Sequence, residues 1–414
     1  MACRNIILNV LGNENSLSKY IINKIAFNFP SSDTYSIKIS NELYSHNTKI
    51  NKPLFTQFGI CKKEVELISQ KFPFFPSLYP FLTIKSYLLY KPQTQSHICV
   101  INIKNKASLS NPKRHTIIYS HGNSSDLGDN LPFLTSLSNV LKCDVISYDY
   151  SGFGCSSGNP SEDNIKSDLD RVIDFSLNEL KYKIDNLILF GYSIGSICTI
   201  NSAVNSEWAN IAGVVLMSPL VYGLNKYFND EKEKKENKID VIKDNIEQTN
   251  YFKISQIDKP ILLIHGKEDE IVPYNHAIQL SKRIQQLYQW FPKDGNHNNI
   301  PYEKRYKFYT KFKTFIDHIK TTKILQEAQY ANMNSNDKVI KVETIKNYIN
   351  KEDNDKANES IQMFINGDDD ITETTTNITS QRVSQGNVFS YYGSVKPNFN
   401  GFFNGNQYND DDDY

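Results

Sequence analysis

The sequence predicts an α/β domain with a mostly parallel central sheet, helices on both faces, and a polar C-terminal tail. Three observations carry that reading. From residue 98, short β-branched runs alternate with helix-period segments over short links, the pattern of a βαβ chain. One of those strands, residues 187–190, runs directly into a glycine-flanked turn at Gly191. Beyond Thr321 the aliphatics thin out and Asn, Asp, Thr, Ser and Gly take over, with four consecutive aspartates at 410–413.

Composition limits the function classes. At 414 residues, 39% hydrophobic and 12% aromatic, the chain can bury a large core. Lys plus Arg equals Asp plus Glu at 46 each, which argues against a dominant nucleic-acid surface. That balance hides an asymmetry: residues 1–320 hold 38 basic and 31 acidic residues, and residues 321–414 hold 8 and 15. No apolar run reaches 18 residues, and residues 6–11 are too short and too polar at Asn9 for a signal-peptide core. The six cysteines, at 3, 61, 99, 143, 155 and 198, form no Cys-x-x-C pair, which fits neither a disulfide frame nor a zinc site. The expectation is a soluble intracellular protein.

Taken in order, Leu17, Tyr20, Ile21, Ile25 and Phe29 recur at helical spacing and predict a short amphipathic helix. Pro73, Pro76 and Pro80 forbid a regular helix in the aromatic stretch 72–89, which reads as a core-facing or membrane-facing loop followed by a strand. Strands are predicted at 98–103, 116–119, 145–148, 187–190, 212–217, 261–264 and 288–291. Helices are predicted at 131–141, from Ser161 onward, and at 196–204, 275–286 and 301–320. Ser161 is a suitable N-cap, with Glu162 and Asp163 at the positive helix end and Leu169, Val172, Ile173 and Leu177 as the apolar stripe. The charged run 229–238 lies in an insertion of about 223–250 and reads as a solvated segment. The domain division is therefore 1–96, an N-terminal extension packing on the core or a membrane; 97–320, the α/β domain itself; and 321–414, a largely disordered acidic tail.

The chemistry centres on Gly191-Tyr192-Ser193-Ile194-Gly195. A serine between a strand and a helix-forming run, flanked by glycines, is held at a strained turn with its hydroxyl exposed. An ordinary glycine turn would give the same string; the strand before it and the helix after it favour a nucleophile. A serine hydroxyl needs a base, and the base an orienting carboxylate. His297, in the Asp294-Gly295-Asn296-His297 loop after the last strand, is the candidate base. His276 begins a helix and His318 lies inside one, so both read as surface or packing residues, and His265 reads as a loop-orienting one. Asp269 is the candidate acid, with Glu268 and Glu270 as neighbours expected to point elsewhere. No carboxylate follows the preceding strand at Ser218-Pro219. Two backbone N–H groups should receive the developing negative charge: Ile194, directly after the serine, and Asn123, in Ser120-His121-Gly122-Asn123. The loop 149–156 has Gly152 and Gly154 but no third glycine and no Gly-Lys-Ser/Thr, so it reads as a tight structural loop and not a phosphate cradle.

With these residues assembled, the chain resembles the α/β-hydrolase superfamily, and within it the α/β-hydrolase domain-containing protein 17 family. The resemblance lies in the strings at 119–128 and 147–158, in Gly191–Gly195, in Ser218-Pro219-Leu220, in 264–270 and in 295–298, over roughly residues 97–320. It implies a palmitoyl-protein thioesterase with Ser193, Asp269 and His297 as its catalytic residues. Its substrates would be S-acylated membrane proteins, it would need no cofactor or metal, and it would work in the cytoplasm or peripherally on the cytoplasmic face of membranes. Two other functions share parts of this evidence: a lipid or small-ester carboxylesterase, and a non-catalytic scaffold on a hydrolase fold. Three departures stand out. The family's N-terminal cysteine cluster is reduced to Cys3, the insertion at 223–250 is longer and more charged, and the acidic tail is additional. One acyl chain alone anchors only marginally.

Overall fold

The computed structural model describes residue 27 and residues 34–39, 42–45, 62–69, 79–108, 114–223 and 249–333, with side chains to residue 323. The predicted helix at 17–29, the insertion around 229–238, Cys3 and the acidic tail beyond Met333 lie outside the described residues, apart from Phe27.

Among the described residues, eleven strands form one sheet: β1 Tyr35–Ile39, β2 Glu42–Ser45, β3 Lys62–Ser69, β4 Leu82–Lys91, β5 Ser96–Asn105, β6 Thr116–Ser120, β7 Asp144–Tyr148, β8 Leu187–Tyr192, β9 Gly213–Met217, β10 Ile261–Ile264 and β11 Leu287–Trp290. Their spatial order is β11-β10-β9-β8-β6-β7-β5-β4-β3-β1-β2. The six strands from β11 to β7 are parallel. From β7 outward to β2 every pairing is antiparallel. The sheet is thus mixed, with its parallel half where the βαβ pattern was legible.

Helices cover both faces of the parallel half, because its strands are apolar on both sides. On one face, Ile117, Tyr119, Phe190, Met217 and Ile264 pack under α1 (Leu127–Leu141) and α7 (Arg305–Met333), through Leu131, Leu134, Phe308, Phe312 and Phe315. On the other, Ile118, Ile146, Leu189, Leu216 and Leu263 pack under α2 (Glu162–Asn178), α3 (Gly195–Ala203) and α5 (Asn275–Ser281). Two one-turn helices, α4 (Asn250–Lys253) and α6 (Ile300–Glu303), are also present among the described residues. The expected cap at Ser161 is present: its hydroxyl accepts from the Asn164 N–H at 3.0 Å.

Two domain boundaries shift. The division at residue 96/97 cuts the β4–β5 hairpin, whose ten paired positions join residues 82–91 to 96–105. Residues 34–91 therefore supply four strands of the same sheet and not an appended layer. The last helix continues past Lys320 to Met333.

Strand β1 is tied to the loops after β6 and β7. The Thr34 hydroxyl donates to Asp126, which also caps α1 by accepting from the Asp129 N–H. The Tyr35 hydroxyl donates to Asp149 Oδ2 at 2.5 Å and accepts from the Cys155 N–H at 3.0 Å. Asp149 Oδ1 accepts from the Leu127 N–H at 2.8 Å. Burial, reinforced by the charge of Asp149, pushes the Asp126 carboxyl up from 3.8 to about 6. A carboxyl raised in the folded state binds its proton there while the unfolded chain has already lost it. Stability therefore falls as pH rises between about 4 and 6. The expected outcome is that wild type loses roughly 2–3 kcal/mol relative to Asp126→Asn across that window, measured by urea unfolding at stepped pH. Parallel curves for the two proteins would contradict it.

Candidate active site

The parallel strands β6, β7, β8, β10 and β11 present their C-terminal ends on one edge of the sheet, where sites of open α/β sheets form. Each is followed by a loop carrying one part of the site. β8 ends at Tyr192 and α3 starts at Gly195, so Ser193 must turn the chain within two residues. It does so at φ 53°, in the left-handed region where a side chain is strained. The turn closes only because its flanks lack side chains. A Cβ on Gly191 would lie 2.6 Å from both the Gly195 carbonyl oxygen and Thr199 Oγ1. A Cβ on Gly195 would overlap the Ser120 carbonyl. The Ser193 N–H donates to the Met217 carbonyl at 2.9 Å, pinning the turn to β9.

The structure brings Ser193, His297 and Asp269 together, and all three are buried. Ser193 Oγ lies 3.0 Å from His297 Nε2. His297 Nδ1 lies 2.8 Å from Asp269 Oδ2 and 3.0 Å from Oδ1. Asp269 Oδ1 also accepts the Ile271 and Val272 N–H groups at 3.0 and 2.8 Å. Burial would raise this carboxyl, but hydrogen bonds from His265 and His297 and from the Val272 N–H outweigh it and hold it well below the usual carboxylate range. An ionised carboxylate only accepts, so Nδ1 carries the imidazole proton and Nε2 is left as an acceptor facing the serine hydroxyl.

The alternatives weighed from sequence separate cleanly. Glu268 and Glu270 are exposed on either side of the buried Asp269. His265 is fully buried; its Nε2 donates to the Val272 carbonyl at 2.8 Å and lies 3.3 Å from Asp269 Oδ2, so it fixes the acid loop. His276 Nδ1 accepts from the Val221 N–H, and the His318 ring packs 4.8 Å from Tyr288. The loop after β6 lies against the serine turn: a Cβ on Gly122 would stand 3.8 Å from Ser193 Cβ. Its backbone is buttressed by the Tyr150 hydroxyl, which donates to the His121 carbonyl at 2.7 Å. His121 Nδ1 bonds the Gly122 carbonyl at 2.7 Å, and its Nε2 sits 3.4 Å from Asp149 Oδ1. Asn123 follows directly, and Ile194 stands at the N-cap of α3. The loop at 149–158 is structural, as expected. Gly152, Gly154 and Gly158 take positive φ, and the Ser156 hydroxyl ties it by accepting from the Cys99 N–H and donating to the Asp149 carbonyl.

One residue of the site escaped the sequence reading. The Tyr192 hydroxyl donates to the His297 carbonyl at 3.0 Å and lies 2.7 Å from Asn298 Oδ1. The signal was a large aromatic next to the serine, in a strand that is otherwise aliphatic or small apart from Phe190.

Residues 115–235 match the family described as "alpha/beta hydrolase fold". This chain has the α/β-hydrolase fold. It resembles alpha/beta hydrolase domain-containing protein 17C of Mus musculus, at 35% identity over 207 residues, which cover 50% of this chain and 60% of that protein. Protein 17B of Xenopus tropicalis is 35% identical over 189 residues, 45% of this chain and 62% of its own length. The chain thus spans about 60% of the length of these relatives. Among solved structures, esterase Pf2001 of Pyrococcus furiosus aligns with 60% of this chain and 96% of its own, at 16% identity and a TM-score of 0.48.

The backbone strain at Ser193 generates a test independent of activity. Ala is ordinarily more stabilising than Gly, but at positive φ the order reverses. Ser193→Gly should be more stable than Ser193→Ala by about 1 kcal/mol, as read by chemical unfolding. Ala equal to or above Gly would mean that the turn is unstrained.

Proposed function

We propose that the chain is a serine hydrolase that cleaves fatty-acyl thioesters from S-acylated proteins. The observation that carries the hydrolase part is the continuous contact from Ser193 Oγ through His297 to Asp269. Ser193 Oγ attacks the acyl carbonyl while His297 Nε2 takes its proton. Asp269 stabilises the imidazolium and keeps the ring in place. The Asn123 and Ile194 amides receive the oxyanion. His297 then gives its proton to the departing cysteine sulfur, leaving an acyl-serine. Water deprotonated by His297 attacks that ester and frees the fatty acid and Ser193. Every proton in this cycle is handled by His297, so no cofactor is required.

The choice of acyl-protein substrates rests on the resemblance to the protein 17 family. A peripheral contact with membranes accords with the exposed surface that follows His297. Tyr302 and Tyr306 are 63% and 76% exposed there, beside Arg305 and Lys307. Aromatic and basic groups of this kind settle at anionic lipid interfaces.

Labelling by a fluorophosphonate probe tests the reading. Wild type should label, Ser193→Ala should not, and His297→Ala should label at least ~10³-fold more slowly. Folded wild type that stays unlabelled would leave the scaffold reading. Given labelling, release of palmitate from a palmitoyl-cysteine peptide in preference to an acylglycerol supports the thioesterase, and the opposite preference supports the lipid esterase.

A further inference from the structure

Tyr192 touches three separate parts of the site. Its backbone is the last residue of β8, so it sets the start of the serine turn. Its ring packs against the loop after β6: a Cβ on Gly122 would lie 2.8 and 2.9 Å from Tyr192 ring carbons, so Gly122 is the residue that admits this ring. Its hydroxyl reaches the histidine loop, where its one proton is shared between two acceptors, the His297 carbonyl at 3.0 Å and Asn298 Oδ1 at 2.7 Å. The two rings lie 5.4 Å apart, tilted by 33°. The hydroxyl therefore binds the backbone of the residue whose side chain must meet Ser193.

That backbone needs holding. His297 sits between β11 and the single turn α6, in a loop whose backbone is tied to the Asp269 loop by the Lys267 N–H to the Pro292 carbonyl and the Glu268 N–H to the Gly295 carbonyl, bonds that do not reach the serine turn. The loop's internal contacts, the Asn296 N–H to Asn299 Oδ1 and the Asn298 and Asn299 N–H groups to Asn296 Oδ1, close the turn on itself. They fix its shape without fixing its distance from the serine. The side-chain bond to Asp269 orients the imidazole about one nitrogen. The Tyr192 bond fixes the main chain against the element that carries Ser193. Burial, helped by the charge of Asp269, raises the Tyr192 phenol well above its ordinary range, so the hydroxyl keeps its proton and remains a donor.

We infer that Tyr192 is a positioning residue that latches the His297 loop to the serine turn and, through the same ring, to the loop bearing Gly122 and Asn123. This rests on reading Ser193 and His297 as the reacting pair. Side chains that hold a reacting group by its backbone act on rate more than on binding, because a misplacement of about 1 Å can cost ~10²-fold.

The test compares the full-length wild type, Tyr192→Phe, Asn298→Ala and the double variant. Tyr192→Phe keeps the ring against Gly122 and deletes only the latch. Two readouts are taken: the second-order rate of fluorophosphonate labelling, and, on 15N-histidine protein, the solvent-exchange rate of the Nδ1 proton shared by His297 and Asp269. Tyr192→Phe should keep its thermal midpoint, label roughly ten-fold more slowly and exchange that proton several-fold faster. Its KM on a short-chain ester should stay within two-fold. Adding Asn298→Ala to Tyr192→Phe should cost less than Asn298→Ala costs alone, because both act through one hydroxyl. Proton exchange unchanged in Tyr192→Phe would overturn the inference whether or not the wild type labels. Accelerated exchange in Tyr192→Phe, alongside a wild type that never labels, would retain the latch and remove the hydrolase reading.

Discussion

The approach of the Gly191–Gly195 turn to Ser120 is the constraint on which the site depends. β8 lies between β6 and β9 in the sheet, paired Gly191 to Ser120 on one side and Gly191 to Leu216 on the other. The chain must leave that central position and enter α3 within two residues. It can do so only by pressing backbone on backbone, with no room for a Cβ at either flank. The positive φ at Ser193 follows from that compression. The placing of the Ser193 hydroxyl at the C-terminal edge of the strands and the strained backbone are thus one feature. The packing of α3 through Ile197, Cys198 and Ile200 against the sheet holds the strain in place.

Electrostatics then selects a single protonation pattern. Asp269 is buried but supplied with donors from two backbone N–H groups and two imidazoles, so it remains charged where burial alone would neutralise it. Asp126, also buried, meets the charge of Asp149 and is pushed the other way. The two carboxylates show that burial does not decide ionisation by itself; the count and charge of the neighbours do. The difference maps onto role. The carboxylate facing His297 is kept ionised, and the one capping α1 beneath strand β1 is not held so.

Most of the candidate site is legible in the sequence because each part of it follows an apolar strand in the parallel half. Ser193, Asp269 and His297 fall in the loops after β8, β10 and β11, where short β-branched runs and abrupt glycines mark the boundaries. Strands β1 to β3 were not legible. β3, Lys-Lys-Glu-Val-Glu-Leu-Ile-Ser, is half exposed, and β2 carries only Leu43 and Tyr44 as apolar residues; such strands gain stability from pairing more than from burial. The boundary at residue 97 failed for the same reason: the change in sequence texture marks the start of the parallel half, whereas the sheet continues through the hairpin. Tyr192 was missed because the motif that drew attention to the serine treats that position as arbitrary. Only the register of the histidine loop gives it a partner.

The docking of β1 carries a consequence for the order of assembly. Tyr35 bonds Asp149 and Cys155, which lie 114 and 120 residues further along the chain. On a ribosome this early segment emerges well before its partners exist, and its β3 neighbour, when made, offers only one edge. Among the described strands, β1 therefore depends on some of the most distant partners along the chain. Until β1 docks, Asp149 lacks the Tyr35 hydroxyl on the side opposite His121. The loop after β7 that lies beside the Ser193 turn is therefore completed only once synthesis has passed residue 155, through contacts that span 114 and 120 residues of chain.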